Sequence, residues 1–148
     1  MKSLDQYVIE KLKLSGKKYK FCPKNKPELV NLMDKLRTER GEEGDFNDVD
    51  TSNIKDMMGL FSDSEFNGDI SEWNVSNVTN MQNMFNSSSF NGDISNWDVS
   101  NVKNMNWMFM ESYFNQDISG WDVSGVEEHE DVFLYSKCEM SNQPKFKK

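Results

Sequence analysis

The residues with the clearest chemical potential are aspartates that recur every 24 positions. Asp69, Asp93 and Asp117 share one position of a repeat, and Asp45 lies one period earlier. Oxygen ligands in register could bind calcium, but the Asp-x-Asp-x-Asp-Gly pattern of calcium loops is missing. Aspartates also close turns by accepting backbone N–H bonds. The spacing therefore favours a structural role and leaves a calcium ladder open as the alternative.

Catalytic and cofactor chemistry finds little support. His129 is the only histidine, and its repeat position matches Met57, Met81 and Met105, which places it at the core edge. A zinc site would need further His or Cys ligands. Carboxylates occur as repeated columns instead of one isolated pair, and no glycine-rich phosphate loop is present. The sequence therefore predicts no enzyme, no catalytic residue, no metal site and no cofactor.

These side chains are positioned by a 24-residue unit that is written three times, after a degenerate first copy that begins near Asp45. Such a period is typical of repeat architectures, in which neighbouring units bury a shared core. The apolar positions of the three clear copies recur in register: Phe66, Phe90 and Phe114; Ile70, Ile94 and Ile118; Trp73, Trp97 and Trp121; Val75, Val99 and Val123; Val78, Val102 and Val126; Phe85, Phe109 and Phe133.

The spacing within one unit predicts a short strand followed by a short helix. Alternation around Trp73–Val75 is typical of a strand, and the spacing of Val78, Met81, Met84 and Phe85 is that of a helix. Ser76 or Asn77 would cap that helix. The predicted fold is an α/β leucine-rich-repeat-like solenoid of about four 24-residue coils, each a short parallel strand plus a short helix. The coils are residues 45–65, 66–89, 90–113 and 114–137.

Other elements flank the repeats. Residues 1–16 are predicted to be an N-terminal helix or arm, with the helix over 3–14. This segment is either a first helix or detachable arm, or a docking or targeting peptide. Residues 17–44 are predicted to be a strand–helix cap, with a strand at Tyr19–Cys22 and a helix from Lys26 to about Arg40 capped by Asn25. Residues 138–148 are predicted to form a C-terminal cap and tail.

Charge is unevenly distributed, and this narrows the class of partner. Residues 27–136 carry five basic and 22 acidic residues, whereas residues 1–26 carry eight lysines against two acidic residues. The acidic body disfavours nucleic acid, since phosphate contacts need Lys and Arg, and it fits a protein with a basic surface.

Location can also be read from the sequence. There is no apolar run of membrane-spanning length, and the first apolar cluster ends at Glu10, so we expect neither a membrane span nor a signal peptide. Cys22 and Cys138 lie in distant parts of the predicted fold and are expected as free thiols. A cytoplasmic location is therefore predicted, or a host cytoplasm or virion if the chain is phage-encoded.

One candidate for partner binding is the outer surface of the predicted strands. Repeat proteins often bind through such a surface. The residues on it are Glu72, Asn74, Asn96, Asp98 and Asp122. The alternative is a polar face whose Asp and Asn side chains only close turns.

A second candidate is a group of larger side chains in the third unit. Trp107, Met110 and Tyr113 occupy positions that are mostly polar in the other units. Trp and Tyr dominate interface energetics, so these residues could anchor a partner or a homodimer. The alternative is a set of isolated exposed apolar side chains, which are common on protein surfaces.

The repeat resembles that of the BspA-like leucine-rich-repeat proteins, which also occurs in mycoplasma surface lipoproteins of unknown function. The stretch Trp97-Asp-Val-Ser-Asn-Val-Lys-Asn-Met105 carries the resemblance, which covers about residues 45–137. The flanks are similar to small intracellular members from gut bacteria and their phages. The resemblance implies a solenoid and protein–protein contacts, and it supplies no catalytic residues.

The functional expectation is a non-enzymatic protein-binding module, such as a phage or bacterial protein that binds and modulates a host protein. The alternatives are a self-associating structural or virion-associated repeat protein and an adhesin-like surface protein.

Overall fold

The computed structural model describes residues 19–148, which contain little regular secondary structure. Residues 19–148 contain one α-helix, α1 (Lys26–Arg40), and one 3₁₀ helix (Met140–Asn142). Within this range the backbone pairings outside the helices are isolated parallel bridges and not strands. The predicted leucine-rich-repeat-like α/β solenoid of strand–helix coils is therefore wrong. The bridges are Phe21 with Val49, Asp45 with Asp69, Asp56 with Asn80, Asn80 with Asn104, and Asn104 with Glu128.

The helix predicted over Val78–Phe85 is a series of turns. Asn83 and Ser87 have left-handed φ values of 56° and 53°, which an α-helix cannot contain. Asn86 donates its N–H to the Asn83 carbonyl three residues earlier. Apolar residues three apart fit such turns as well as a helix, so the spacing did not distinguish them. The predicted cap residues Ser76 and Asn77 instead lie in a separate turn.

The turns of neighbouring repeats are joined by what we call the turn ladder. Met81, Asn83, Phe85 and Ser87 each donate a backbone N–H to a carbonyl of the following repeat, at 2.8–3.0 Å. The same four positions in the first and third repeats do so as well, from residues 57–63 and 105–111. Because alternate peptide groups point along the stacking direction, the backbone is satisfied between repeats and not within a helix.

The strand predicted around Trp73–Val75 is absent because polar turns surround it. Asn74 accepts the backbone N–H and the hydroxyl of Ser76 at 3.0 and 2.6 Å. Trp73 is buried, and its indole N–H donates to the Phe46 carbonyl at 3.0 Å. The inward Trp-x-Val pattern thus imitates strand alternation over a segment too short to pair as a strand.

Equivalent apolar side chains of the repeats stack on one another, as the repeat pattern predicts. Phe61, Phe85, Phe109 and Phe133 have successive ring centroids 5.6, 5.4 and 5.5 Å apart. Phe66, Phe90 and Phe114 form a second column at 6.2 Å spacing. No repeat could bury these rings alone, so the core belongs to the contacts between repeats.

The predicted boundaries of helix α1 are confirmed, and the helix covers the first repeat. The Asn25 side chain accepts the Glu28 N–H at 3.0 Å, and Leu29, Met33 and Leu36 are buried. Arg40 forms a two-pronged contact with the Asp48 carboxylate at 2.8 and 2.9 Å.

Two further predictions concern the flanks. The strand predicted at Tyr19–Cys22 is reduced to the single bridge of Phe21. The helix predicted over 3–14 lies outside the described residues. At the other end, Cys138 is buried in the column of Phe114, and Ile118 donates its N–H to the Asn142 carbonyl at 3.0 Å.

Candidate protein-interaction surface

The recurring aspartates close turns. Asp69 accepts the Ser71 N–H at 3.0 Å and the Ser71 hydroxyl at 2.7 Å, and Asp93 and Asp117 do the same with Ser95 and Ser119. The serine hydroxyl and N–H groups lower the pKa of each carboxyl because they stabilise its charged form. The structural interpretation is therefore confirmed. Among residues 19–148, no group of three or more His, Cys, Asp and Glu side chains could hold a metal ion.

The first predicted binding surface consists of the same kind of turn. Asn74, Asp98 and Asp122 are exposed and form one column, and each accepts the N–H of the serine two residues later. Glu72 and Asn96 are exposed beside them. The structure thus brings these residues together on a polar surface that consists of turns and not of a sheet. In Asn74, Asp98 and Asp122, one side-chain oxygen already accepts a hydrogen bond from the chain itself.

The second predicted group lies on and just after a turn of the third repeat. Trp107 and Met110 are half-buried and Tyr113 is 63% exposed. Trp107 has a left-handed φ of 56°, in the column of Gly59, Asn83 and Asp131, which are left-handed as well. The structure therefore places Trp107 and Met110 on one turn of the third repeat. Tyr113 follows this turn, and its N–H donates to the Ser88 carbonyl of the preceding repeat at 3.1 Å.

Two residues that the sequence interpretation missed extend this surface. Leu134 is 38% exposed and Tyr135 is 78% exposed, on the equivalent turn of the fourth repeat. The Glu111 N–H donates to the Leu134 carbonyl at 2.8 Å, so the two turns are direct neighbours. Their signal was in the sequence, because Leu134 shares the column of Met110. We call the combined surface the aromatic turn face: Trp107, Met110, Tyr113, Leu134 and Tyr135.

The aromatic turn face is confined to the third and fourth repeats. In the first two repeats the positions equivalent to Trp107, Met110 and Glu111 are occupied by small or polar residues: Gly59, Asn83, Ser62, Asn86, Asp63 and Ser87. The ladder backbone is the same in both halves, with left-handed residues at the same two positions. The scaffold therefore does not require apolar side chains there.

Two aromatic residues of this surface have a costly backbone conformation. Trp107 and Tyr135 have φ values of 56° and 57°. The left-handed region costs a residue with a Cβ about 1–2 kcal/mol and suits Gly, Asn and Asp best. Strained residues of this kind cluster at functional sites.

The surroundings of the aromatic turn face are acidic. Residues 104–136 contain seven acidic residues and no Lys or Arg. Glu111, Glu130 and Asp131 are exposed on the two turns themselves. The surface thus combines apolar anchors with a negative rim.

Comparison with known proteins gives the family. Residues 30–146 match the family described as "Mycoplasma protein of unknown function, DUF285". The chain belongs to this family. The match agrees with the predicted mycoplasma-type repeat, whereas the BspA-like assignment and a phage origin stay predictions. Neither the curated proteins nor the solved structures give a match to this DUF285 chain.

Membrane insertion and cysteine chemistry can also be described for this DUF285 chain. From residue 19 to 148, no helix has the length and apolar character to cross a membrane. Cys22 and Cys138 are free thiols. Burial raises the pKa of the Cys138 thiol to about 11.

Proposed function

We propose that this DUF285 protein is a non-enzymatic protein-binding module that uses the aromatic turn face. One observation carries the proposal: Trp107 and Tyr135 occupy left-handed backbone positions, at least partly exposed, where the first two repeats have Gly, Asn, Asp or Ser. The fold does not need an aromatic side chain there, and the conformation disfavours one. Exposed Trp and Tyr are the residues that most often anchor protein interfaces.

The chemistry of the face defines the partner. Met110 and Leu134 share one column of the two turns, at least partly exposed, and add apolar area. Glu111, Glu130 and Asp131 surround this area with negative charge. We therefore expect a protein segment with an apolar anchor flanked by Lys or Arg, because complementary charge speeds association and excludes acidic competitors.

The polar column of Asn74, Asp98 and Asp122 has a secondary place in the proposal. Its side chains are exposed, yet they hold turns through their serines. Contact by a large partner could extend onto this column, but the column lacks an apolar anchor of the kind that dominates binding energy.

Self-association is the second candidate, since an exposed apolar surface can pair with a copy of itself. Pairing two aromatic turn faces would bring the acidic groups Glu111, Glu130 and Asp131 of both copies together. Like charges across an interface cost binding energy, so we favour a different partner. An intracellular setting, in a bacterium or with a phage-encoded protein acting on its host, completes the proposal and rests on the sequence resemblance.

The test compares two glycine variants of one ladder column. Trp107→Gly removes the anchor and introduces glycine, which the first repeat already has at this position as Gly59. Asn83→Gly introduces glycine at the same repeat position but outside the aromatic turn face. Affinity capture from bacterial lysate followed by mass spectrometry, with light scattering of the purified chain, measures binding and self-association. A protein retained by the wild type and by Asn83→Gly, but lost with Trp107→Gly, supports the proposal. Equal capture by all three chains contradicts it, and dimers lost only with Trp107→Gly favour self-association.

A further inference from the structure

The turn ladder ends at the fourth repeat with a row of unused backbone donors. In the first three repeats, four alternate residues donate their N–H groups to the next repeat, for example Trp107 to Glu130 at 2.9 Å and Phe109 to Val132 at 2.8 Å. In the part of the chain that the structure describes, the equivalent N–H groups of His129, Asp131, Phe133 and Tyr135 have no acceptor. The hydrogen-bonding pattern that joins the repeats is thus left open on one side.

The C-terminal residues cover part of this edge. The imidazole of His129 stacks on the Phe146 ring with centroids 4.8 Å apart. Asp131 and Tyr135 are exposed, and Phe133 is partly exposed. We call Asp131, Phe133 and Tyr135 the ladder edge.

Phe133 adds a place for a side chain beside these donors. Inside the stack Phe85 has a ring on each side, Phe61 at 5.6 Å and Phe109 at 5.4 Å. Phe133 continues this column with Phe109 at 5.5 Å on one side. Its other side faces the direction in which the repeats would continue, so an apolar or aromatic side chain would fit there.

We infer that the ladder edge binds a segment of a partner protein, whose backbone carbonyls accept the N–H groups of Asp131, Phe133 and Tyr135. This inference rests on the proposed function, because Tyr135 belongs to both surfaces. Open backbone donors at alternate positions are a template for pairing with another chain, and peptide recognition often uses such pairing. The contact between this chain and its partner would continue the one that already joins the repeats.

Two other occupants fit the edge less well. Successive N–H groups in turns of this kind can bind anions. The edge itself carries Asp131, with Glu130 beside it, and these carboxylates favour neutral carbonyls over an anion, although Lys145 and Lys147 flank Phe146. A second copy would have to present its own first repeat. That repeat is covered by α1, in which Lys26 lies 3.9 Å from Asp56 and Arg37 donates to Ser64 at 3.0 Å.

The experiment uses the full chain and a phage-displayed library of random peptides. Peptides enriched on the wild type are added to ¹⁵N-labelled chain, and amide hydrogen exchange is measured by NMR. We expect amide hydrogen exchange at Asp131, Phe133 and Tyr135 to slow at least about fivefold on binding. A factor of this size corresponds to the net contribution of one hydrogen bond. The amides of Trp107, Phe109 and Glu111 occupy the same columns and are already paired, so they serve as controls and should not change.

A second measurement tests the carbonyls of the peptide. Replacing single peptide bonds with esters weakens the carbonyl as an acceptor. At the paired positions we expect affinity to fall about fivefold for each ester, with no comparable loss at the positions between them.

The outcomes separate this inference from the proposed function. Binding that is lost with Trp107→Gly, but leaves the edge amides unprotected, overturns the inference and keeps the function. No Trp107-dependent binding and no edge protection overturn both. Edge protection that grows with the concentration of the chain alone shows a second copy as the occupant, which overturns the inference of a different partner.

Discussion

Trp97 and Trp121 stack with ring centroids 6.5 Å apart and an angle of 4° between the rings. The indole N–H of Trp97 donates to the Ile70 carbonyl and that of Trp121 to the Ile94 carbonyl, both at 3.1 Å. Each tryptophan thus joins its repeat to the preceding one by a buried hydrogen bond and a ring contact, Trp97 with Phe85 and Trp121 with Trp97. The stability of the chain therefore depends on residues whose partners lie one repeat away.

Truncating one of these indoles should be costly. Trp97→Ala removes a buried ring and its hydrogen bond, and we expect the free energy of unfolding to fall by about 3–5 kcal/mol. Urea denaturation followed by circular dichroism measures this change. Trp107→Ala is the control, because Trp107 is only half-buried and should cost about 1 kcal/mol or less. A similar loss for both variants would place Trp107 in the core and contradict its interface role.

The apolar columns could be predicted because burial depends on which residues recur, and the repeat shows this directly. Phe85 and Val78 are fully buried, as their columns indicated. The backbone between them could not be predicted in the same way. Asn83 and Ser87 decide between helix and turns through their left-handed φ values. Asn favours this conformation only as a tendency, and Ser does not favour it. Gly59, in the column of Asn83, was the clearest local indication.

The candidate surface was predicted in part for a similar reason. Trp107, Met110 and Tyr113 stood out because they replace mostly polar residues at fixed repeat positions. Leu134 and Tyr135 were missed because the fourth repeat departs from the pattern at many positions. Two further apolar residues therefore did not stand out there. The unused N–H groups of the ladder edge could not be predicted, since they depend on which peptide groups point along the stack.

Gly68 should be required by the packing between repeats. A Cβ at this position would lie 2.5 Å from the Phe46 ring and 2.8 Å from the Gly44 carbonyl oxygen. We expect Gly68→Ala to lower the free energy of unfolding by about 1–3 kcal/mol, as overpacking does. Gly120→Ala is the matched control, because nothing lies within 4 Å of its added Cβ. Thermal unfolding of both variants checks the prediction, and equal melting temperatures would contradict it.

The aspartate turns should make stability depend on pH in the acidic range. The Ser100 hydroxyl and N–H lower the pKa of Asp98, and Asp69 and Asp93 are lowered in the same way. A carboxyl whose pKa is lowered by folding stabilises the folded chain above its unfolded pKa, about 3.9. That contribution is lost as the pH falls through the folded value.

Asp98→Asn tests this dependence, because Asn74 already forms the same turn in its column. We expect the variant to lose less stability than the wild type between about pH 5 and pH 2. Urea denaturation across this range is the measurement, with Glu65→Gln as the exposed carboxyl control. An Asp98→Asn profile parallel to that of the wild type would show that the turn does not couple to protonation.

Replacing Tyr135 should stabilise the chain and so expose a conflict between stability and function. Tyr135 combines 78% exposure with a φ of 57°, so its removal loses little burial and relieves an unfavourable conformation. We expect Tyr135→Asn to raise the free energy of unfolding by about 0.5–1 kcal/mol, because Asn tolerates the left-handed region. Tyr113→Asn is the control, since Tyr113 is also exposed but is not left-handed, and chemical denaturation measures both. If both variants lose stability equally, the backbone cost at Tyr135 is negligible, and the argument that an aromatic residue is kept there for binding fails.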